Sequence, residues 1–491
     1  MIKISIMFRE VFLFLCLYFL TSINLFSQNQ ENIYLSGNGT DKAHSITKNG
    51  DNYLICGSTR LSSNTSNEAI LFEMTESGII VWTSIYGYEN STEAFDVCSS
   101  ASGKIGLTGY KWTDFMHDPF MYLVGADGDI IKEEYILDNM SGIGFSVIED
   151  NDGGFSFSGY SAQNGTLGGQ VFLTKMNNYG DVLWTKEYGD TPEEHFYSHI
   201  QTQDGGYLLL GTQNGFMFNF IWREFHTTNS SIYIIKTDSH GNEIWNTTIS
   251  GEYNDLAKCV KQALDGGYYI LGSTQSIGAG SFDMYLIKIN ENGELEWEKT
   301  FGQSDFEYGY DMCITEDNYL YCCGVSRTME TESVDIYIVK TDLEGNMIWE
   351  KYLGGEYSEY GYGIESTSTN GCIIVGATND ISFGNGSYNL LVMKLNRYGE
   401  IEKLENGDFV DISVFPNPAK DFVYINILKD YQYSYTYSIV LLDIMGKELY
   451  RQDNINDSFV LNVSQFTTGV YILVINDKND EQYIKKIVIQ K

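Results

Sequence analysis

Residues 201–213 read QTQDGGYLLLGTQ. The same cadence returns as QALDGGYYILGST at residues 262–274 and, more loosely, as EDNDGGFSFSGYS at 149–161. Aligning the glycine that closes the phrase gives Gly57, Gly109, Gly159, Gly211, Gly272, Gly324 and Gly376, spaced 52, 50, 52, 61, 52 and 52 residues apart. A second glycine keeps step at Gly78, Gly128, Gly180, Gly241, Gly293, Gly345 and Gly399, and tryptophan recurs at Trp82, Trp184, Trp245, Trp297 and Trp349. A fixed period near fifty residues marks a solenoid, a propeller or another array.

Each copy holds four strand-like phrases; in the fifth they are KCVKQA, GYYILGS, DMYLIKIN and ELEWEKTF. Four short antiparallel strands per repeat describe a propeller blade. The second phrase is apolar on both faces, with Tyr207 and Leu209 on one and Leu208 and Leu210 on the other. A sheet with one wet face would alternate, so this pattern fits a sheet packed between two others. The expected fold is therefore all-β, a seven-bladed β-propeller over residues 28–406 followed by a smaller domain.

Asp-Gly-Gly falls between the first and second phrases, where a hairpin must reverse. It is expected to form a two-residue turn with positive φ at both central residues. Blades one and six place Asp51-Asn52 and Asp317-Asn318 there, and blade seven Asn370-Gly371. Such exchanges suit a turn and would be odd for a calcium ligand. Blade seven lacks a clear fourth strand after Gly399. The stretch NIYLSGNGTDKAHSI aligns with EKYLGGEYSEYGYGI of blade seven. Residues 33–36 are thus expected to supply the missing outer strand and close the ring.

Composition agrees with this class. The 491 residues are 43% hydrophobic and 14% aromatic, rich in tyrosine (37) and glycine (49), and poor in proline (4). A formal net charge of −36 makes nucleic acid and anionic lipid poor partners. Lys3 and Arg9 precede the apolar run VFLFLCLYFL at 11–20, so residues 1–27 read as a secretory signal peptide. No segment of the mature chain is apolar for long enough to span a bilayer as a helix. Leu15 before Cys16 argues against a lipid anchor. The other seven cysteines lack metal-type spacing, and Cys56, Cys322, Cys323 and Cys372 lie in apolar strand patterns, as buried free thiols do.

Composition shifts at Gly407. Residues 407–491 alternate as a small β-sandwich and contain Phe415-Pro416-Asn417-Pro418, Asp443 with Gly446, Gly469-Val470-Tyr471, and a closing lysine-bearing strand at 485–490. On these motifs the segment resembles the type A C-terminal sorting domain of the bacterial type IX secretion system, with Phe415 in place of the family's usual tyrosine. The resemblance implies an address: recognition by the outer-membrane translocon, removal by a surface sortase, and release or attachment of the cargo. The repeats resemble secreted propeller repeats carried by such cargo in Bacteroidota.

Candidate sites are fewer. A carboxylate precedes the first phrase at Asp41, Glu93, Glu194, Asp255, Glu307 and Glu359, with Ser141-Gly142 in its place in blade three. Each is read as an acceptor for backbone N–H groups of its own loop; the alternative is a ring of carboxylates at one mouth, able to hold a cation. The tryptophan phrase resembles that of quinoprotein propellers, but packing between blades is the reading taken. Cys322 and Cys323 point to opposite faces of a strand. His195 and His199, beside Glu193 and Glu194, do not form a helical zinc motif. No nucleophile elbow occurs, and no catalytic residue, metal or cofactor is assigned.

Blade four alone carries nine extra residues, in NGFMFNFIWREFHTTNS at 214–230. The insertion is expected beside the entering loops on one face of the disc. Phe218, Phe220 and Trp222, with Glu193, Glu194, Tyr253 and Asp255, are the candidate ligand contacts. The expected function is a secreted or surface-attached binding or adhesion module for glycan or protein. The alternative is an extracellular polysaccharide-degrading, endoglucanase-like enzyme or its accessory, since a propeller brings distant acids together.

Overall fold

The computed structural model describes residues 33–35, 40–60, 66–87, 91–113, 116–135, 140–163, 169–189, 194–214, 229–327, 333–380, 387–404, 410–415, 419–429, 437–455, 458–476 and 482–491. The leader at 1–27 lies outside them. Every regular element among them is a strand. Four-stranded antiparallel meanders follow one another over 42–86, 92–135, 140–188, 194–249, 255–301 and 306–353, each ordered as in the chain. A seventh sheet begins at Glu359–Ser366 and continues through Cys372–Thr378 and Asn389–Leu395.

Two short strands share its outer position. Ile33–Leu35 pairs antiparallel with the early part of Asn389–Leu395, Ile33 opposite Val392 and Leu35 opposite Leu390. Ile401–Glu402 pairs with the later part, Leu395 opposite Ile401. The N-terminal segment therefore occupies the expected place, with Ser36 outside the described residues. The sequence after Gly399 does contribute a strand, but one of only two residues.

Each sheet is buried on both faces by its neighbours. In the fourth, Leu208 and Leu210 share a core with Ala257, Val260 and Ile270 of the fifth. Tyr207 and Leu209 share another with Val171 and Leu173 of the third. Ile46, Ile55 and Phe72 of the first sheet pack with Ile373, Val375 and Val392 of the seventh. All seven described cysteines are free and buried, and Cys322 and Cys323 belong to different cores.

The Asp-Gly-Gly turn differs from expectation. Gly205 N donates to Thr202 O while Thr202 N donates to Gly206 O. Only Gly205 has positive φ, at 81°. This is a type I turn extended by one left-handed residue, which also fits the right-handed strand twist. Asp204 sits inside the turn, accepts Gly206 N at 3.0 Å and meets the buried Lys236 ammonium at 2.9 Å. Asp152 with Lys175 and Asp265 with Lys288 repeat the pair. Sheet one exchanges both partners: Glu73 stands in the lysine position and takes Asn49, Asn52 and the Trp82 indole N–H. Asp-Gly-Gly thus turns the chain and also neutralises a lysine from the third strand.

The second glycine series and the tryptophans are one device. A methyl group on Gly241 would lie 2.8 Å from Trp184 of the preceding sheet; on Gly293 it would meet Trp245, and on Gly345 Trp297. Each indole lies against the next sheet's turn, where only glycine leaves room.

The closing residues of the chain form two further sheets. One holds Val410–Phe415, Phe422–Lys429 and Ser458–Asn462; the other holds Tyr437–Asp443, Glu448–Ile455, Gly469–Asn476 and Gln482–Ile489. They share one core, with Val423, Ile425 and Leu461 facing Ile439, Leu441, Leu473 and Ile487.

The repeat-defining glycines show the tightest approach. A methyl on Gly272 would lie 1.8 Å from Leu256 O, whereas one on Gly355 meets nothing within 4 Å. Gly272→Ala should destabilise the fold by about 3 kcal/mol, in the range of a forced core clash, and Gly355→Ala by less than about 0.5 kcal/mol. Paired thermal or urea melts check this.

Candidate functional site

The first strands of the seven sheets are neighbours in a cycle. Each packs beside the first strand of the next sheet, and Glu359–Ser366 of the seventh packs beside Lys42–Asn49 of the first. In every one the ladder to the second strand skips one residue at the same point. The skipped residues are His44, Phe95, Phe145, Tyr197, Lys258, Tyr310 and Tyr362. A bulge leaves its extra residue unpaired and re-aims the side chain. Here the re-aimed side chains meet. Ring centroids run Tyr310–Tyr362 5.9 Å, Tyr362–His44 5.7 Å, His44–Phe95 5.0 Å, Phe95–Phe145 5.7 Å and Phe145–Tyr197 5.4 Å. Lys258 Nζ stands 3.3 Å from the Tyr197 ring centroid. The result is a girdle of six rings and one ammonium.

The bulges lie opposite the repeat glycines. Ala43 pairs with Gly57, Ala257 with Gly272 and Gly361 with Gly376, directly before the skipped residue. In sheets two, three, four and six the residue after the bulge accepts a backbone N–H of the next sheet. Asp96 Oδ2 accepts Val147 N at 2.9 Å, Ser146 Oγ accepts His199 N at 3.4 Å, and Asp311 Oδ2 accepts Ile364 N at 3.0 Å. Asp96 Oδ1 also takes the Ser45 hydroxyl and Val97 N, so one carboxylate joins three sheets.

Burial sets the protonation of this region. It pushes Asp96 up to about 6, against the donors that favour its charge and with some repulsion from Asp311. It holds His44 at about 3, so that imidazole is neutral. It pulls Lys258 down to about 7. Lys261, deeper along the same strand, is shifted the other way: burial opposes its charge, but Asp311 and Glu365 nearby overcome it.

Rings also lead outward from the girdle. Phe95 meets Tyr110 at 5.8 Å, Tyr110 meets His117 at 4.5 Å, and His117 meets Trp112 at 4.4 Å. Trp112 is 43% exposed. A second series runs from Tyr362 to Tyr360 at 5.8 Å and on to Tyr388 at 5.9 Å.

The aligned acids stand three residues before the girdle and are spent locally. Asp255 takes Gly251 N at 2.7 Å and the hydroxyls of Thr274 and Ser276. Glu307 takes Gln303 N and Ser326, and Glu359 takes Gly355 N and Thr378. In sheet two the alignment was one residue off: Thr92 stands three before Phe95, while Glu93 accepts from Asn67 and lies 4.0 Å from His44 Nε2.

Of the candidate ligand contacts, Glu194 and Asp255 are 1% and 2% exposed, and Tyr253 is 55% exposed. Phe218, Phe220, Trp222 and Glu193 lie outside the described residues. The foot of their insertion is held beside Tyr253, where Ser230 N and Oγ donate to Asn254 Oδ1 at 3.0 Å. His199 is hydrogen-bonded in the core to Ser156 and Ser158, while His195 lies against Tyr160. Among the described residues no group of three or more His, Cys, Asp and Glu is arranged to hold a metal. The girdle and Trp112 were missed from sequence. Their signal was the recurring AHS, AFD, GFS, FYS, AKC, GYD and GYG, and a tryptophan outside the fourth strand.

Asp96 gives a testable sign. Its pKa is raised from 3.8 on folding, so its ionisation removes stability as pH climbs through about 6. Asp96→Ser installs the residue found at Ser146 and Ser198. The variant should gain about 2 kcal/mol on the native chain between pH 4 and pH 8. Urea melts across that range check it; a constant difference would contradict the assignment.

In the C-terminal sheets, Asp443 Oδ1 caps the turn by accepting Met445 N and Lys447 N, and Gly446 takes positive φ. Tyr471 donates to Thr467 O at 2.7 Å, and Gly469 opens its strand. Phe415 ends a strand, and Pro416, Asn417 and Pro418 lie outside the described residues. A protein of unknown function from Bacteroides caccae aligns with TM-score 0.39 and 13% identity, over 64% of this chain and 94% of that one. Sqt1 from Chaetomium thermophilum aligns with TM-score 0.43 and 10% identity, over 81% of this chain and 96% of its own. An endo-acting ulvan lyase of Formosa agariphila is 32% identical over 81 residues, 16% of this chain and 15% of the lyase, so the chain spans a small part of that relative. The family model of the secretion system C-terminal sorting domain matches residues 413–490. These residues are a type IX sorting domain, which engages the type IX secretion system and directs the chain to the medium or the cell surface.

Proposed function

We propose that the repeated sheets are the blades of a closed seven-bladed propeller, and that it serves outside the cell as a saccharide-binding module. The carrying observation is the run of rings from exposed Trp112 through His117 and Tyr110 to Phe95 of the girdle. Rings stack on the apolar faces of sugars, while neutral tyrosine hydroxyls exchange hydrogen bonds with theirs. In this reading the girdle surrounds the central channel. Tyr253 belongs to the same mouth and Glu194 and Asp255 shape its loops, while Phe218, Phe220, Trp222 and Glu193 remain candidate contacts from the sequence. The likeness to an ulvan lyase adds a polysaccharide setting and no catalytic residue, because it spans 15% of that enzyme.

A saccharide array probed with the full chain tests the reading. Trp112→Ala should weaken binding by about 1–3 kcal/mol with the fold retained. Absence of binding across the array would overturn the proposal. Release of shortened or unsaturated products from a bound saccharide would favour the enzyme alternative.

Closure has its own test. Deleting residues 33–35 removes a strand from the outer position of the seventh sheet and should cost several kcal/mol, roughly the lost ladder and the apolar surface uncovered on Asn389–Leu395. An unchanged melting temperature would mean that the ring does not depend on this strand.

A further inference from the structure

One turn recurs in the chain with different tips. In five of the repeated sheets the third strand leads into Asp or Asn, two variable residues and a glycine of positive φ. The side-chain oxygen of the first residue accepts two backbone N–H groups. Asp238 Oδ1 takes His240 N and Asn242 N at 2.8 Å each, and Asn290 Oδ1 takes Asn292 N and Glu294 N at 3.0 Å each. The sorting domain holds a sixth copy. Asp443 Oδ1 accepts Met445 N and Lys447 N at 2.9 Å each, and Gly446 has φ 79°. This geometry asks nothing of the two middle side chains. In the repeated sheets each middle pair includes a polar residue, as in Ser239-His240 and Glu291-Asn292. In the sorting domain the pair is Ile444-Met445, 69% and 86% exposed. Neither residue belongs to the domain's core.

The tip projects from the end of the domain where the sorting motifs meet. Asp443 pairs with Tyr471, and Gly469 pairs with Ile489. Ala419, which follows Pro418 in the chain, bridges to Ile489 and accepts Gln490 N at 2.8 Å. Stretches far apart in sequence thus share one end, and Val470 there is 44% exposed.

We propose that the Ile444-Met445 tip is the contact that seats the sorting domain in an apolar pocket on a protein of the type IX export machinery. The domain engages that system, and the turn supplies the surface. A single exposed aliphatic side chain is ordinary. Here two adjacent ones cap a rigid turn whose five counterparts carry polar tips, at the end that gathers the motifs. A turn already fixed by its hydrogen bonds loses little freedom on docking. Methionine, unbranched and polarisable, adapts to the contour of a pocket. A lipid surface is the poorer fit, because two side chains bury little area and a chain of net charge −36 is repelled by anionic headgroups.

The test is export of the full chain from cells that carry the type IX system, read as the amount in the medium and on the cell surface. Ile444→Glu combined with Met445→Asn copies the Glu291-Asn292 tip and keeps the turn. This polar double variant should be exported about tenfold less, with the protein held in the cell envelope and the melting temperature of the purified chain unchanged. Ile444→Leu combined with Met445→Leu should be exported normally, because the contact is apolar. Leu264→Ser, which removes an 83% exposed side chain from a turn of the repeated sheets, should also be exported normally. Native export of the polar double variant overturns the inference, and so does an equal loss in Leu264→Ser. If the polar double variant melts below the native chain, Met445→Gln decides in its place: reduced export supports the inference and native export overturns it. If the purified native chain floats with vesicles of phosphatidylethanolamine and phosphatidylglycerol while the polar double variant does not, the tip is a lipid contact and the inference falls.

Discussion

The structure depends on one close approach. In each repeat the first strand's carbonyl comes so near the second strand that a methyl group there would sit within 2.1 Å of it, from Lys42 O at Gly57 to Tyr360 O at Gly376. Glycine is the residue that tolerates such an approach. The approach coincides with the bulge, and the bulge turns one side chain out of the ladder in every sheet. What looks from the sequence like a marker of periodicity is thus the local cause of the girdle. A bulge at one matched point on seven adjacent strands places seven side chains at one level without any long loop to position them.

A bulge also frees backbone N–H groups, which are costly to bury unpaired. In sheets two, three, four and six the residue after it supplies the acceptor to the next sheet, as serine at Ser146 and Ser198 and as aspartate at Asp96 and Asp311. The outer part of each sheet solves its contacts differently, with an indole against a glycine turn and a lysine against the turn aspartate. Inner and outer contacts alike combine an apolar surface with a polar, directional bond. Together they fix both the spacing and the tilt of neighbouring sheets, which apolar packing alone would leave free to slide.

Much of this was legible beforehand, because repetition multiplies weak signals. Strand count, the two-sided burial of Tyr207–Gln213 and the pairing of the N-terminal segment with the seventh sheet all follow from alignment of the copies. Three readings failed locally. The Asp-Gly-Gly turn has one left-handed residue, Gly205, while Asp204 takes no positive φ and is tied to Gly206 and Lys236. Glu93 was aligned because it is an acid, while Thr92 holds the structural place. The girdle escaped notice because alternation predicts facing only while the ladder is regular, and one bulge reverses the phase of every later residue. Trp112 was passed over because the other tryptophans explained themselves as packing.

The sorting domain is built on a separate economy of contacts. Its core is drawn from residues beyond 413 alone, with Val423, Ile439, Leu473 and Ile487 at its centre. The cores of the repeated sheets are drawn from those sheets; among the described tail residues, Val410–Phe415 lies beside Ile80–Tyr86, and Tyr424 packs against the cluster that includes Ile80 and Leu404. Hydrophobic stabilisation scales with the apolar area each body buries for itself. Each body draws its apolar burial mainly from its own core, and the contact of Val410–Phe415 and Tyr424 with the first sheet joins them without merging those cores. An address that is read once can therefore be joined to a scaffold that must last, without either core depending on the other.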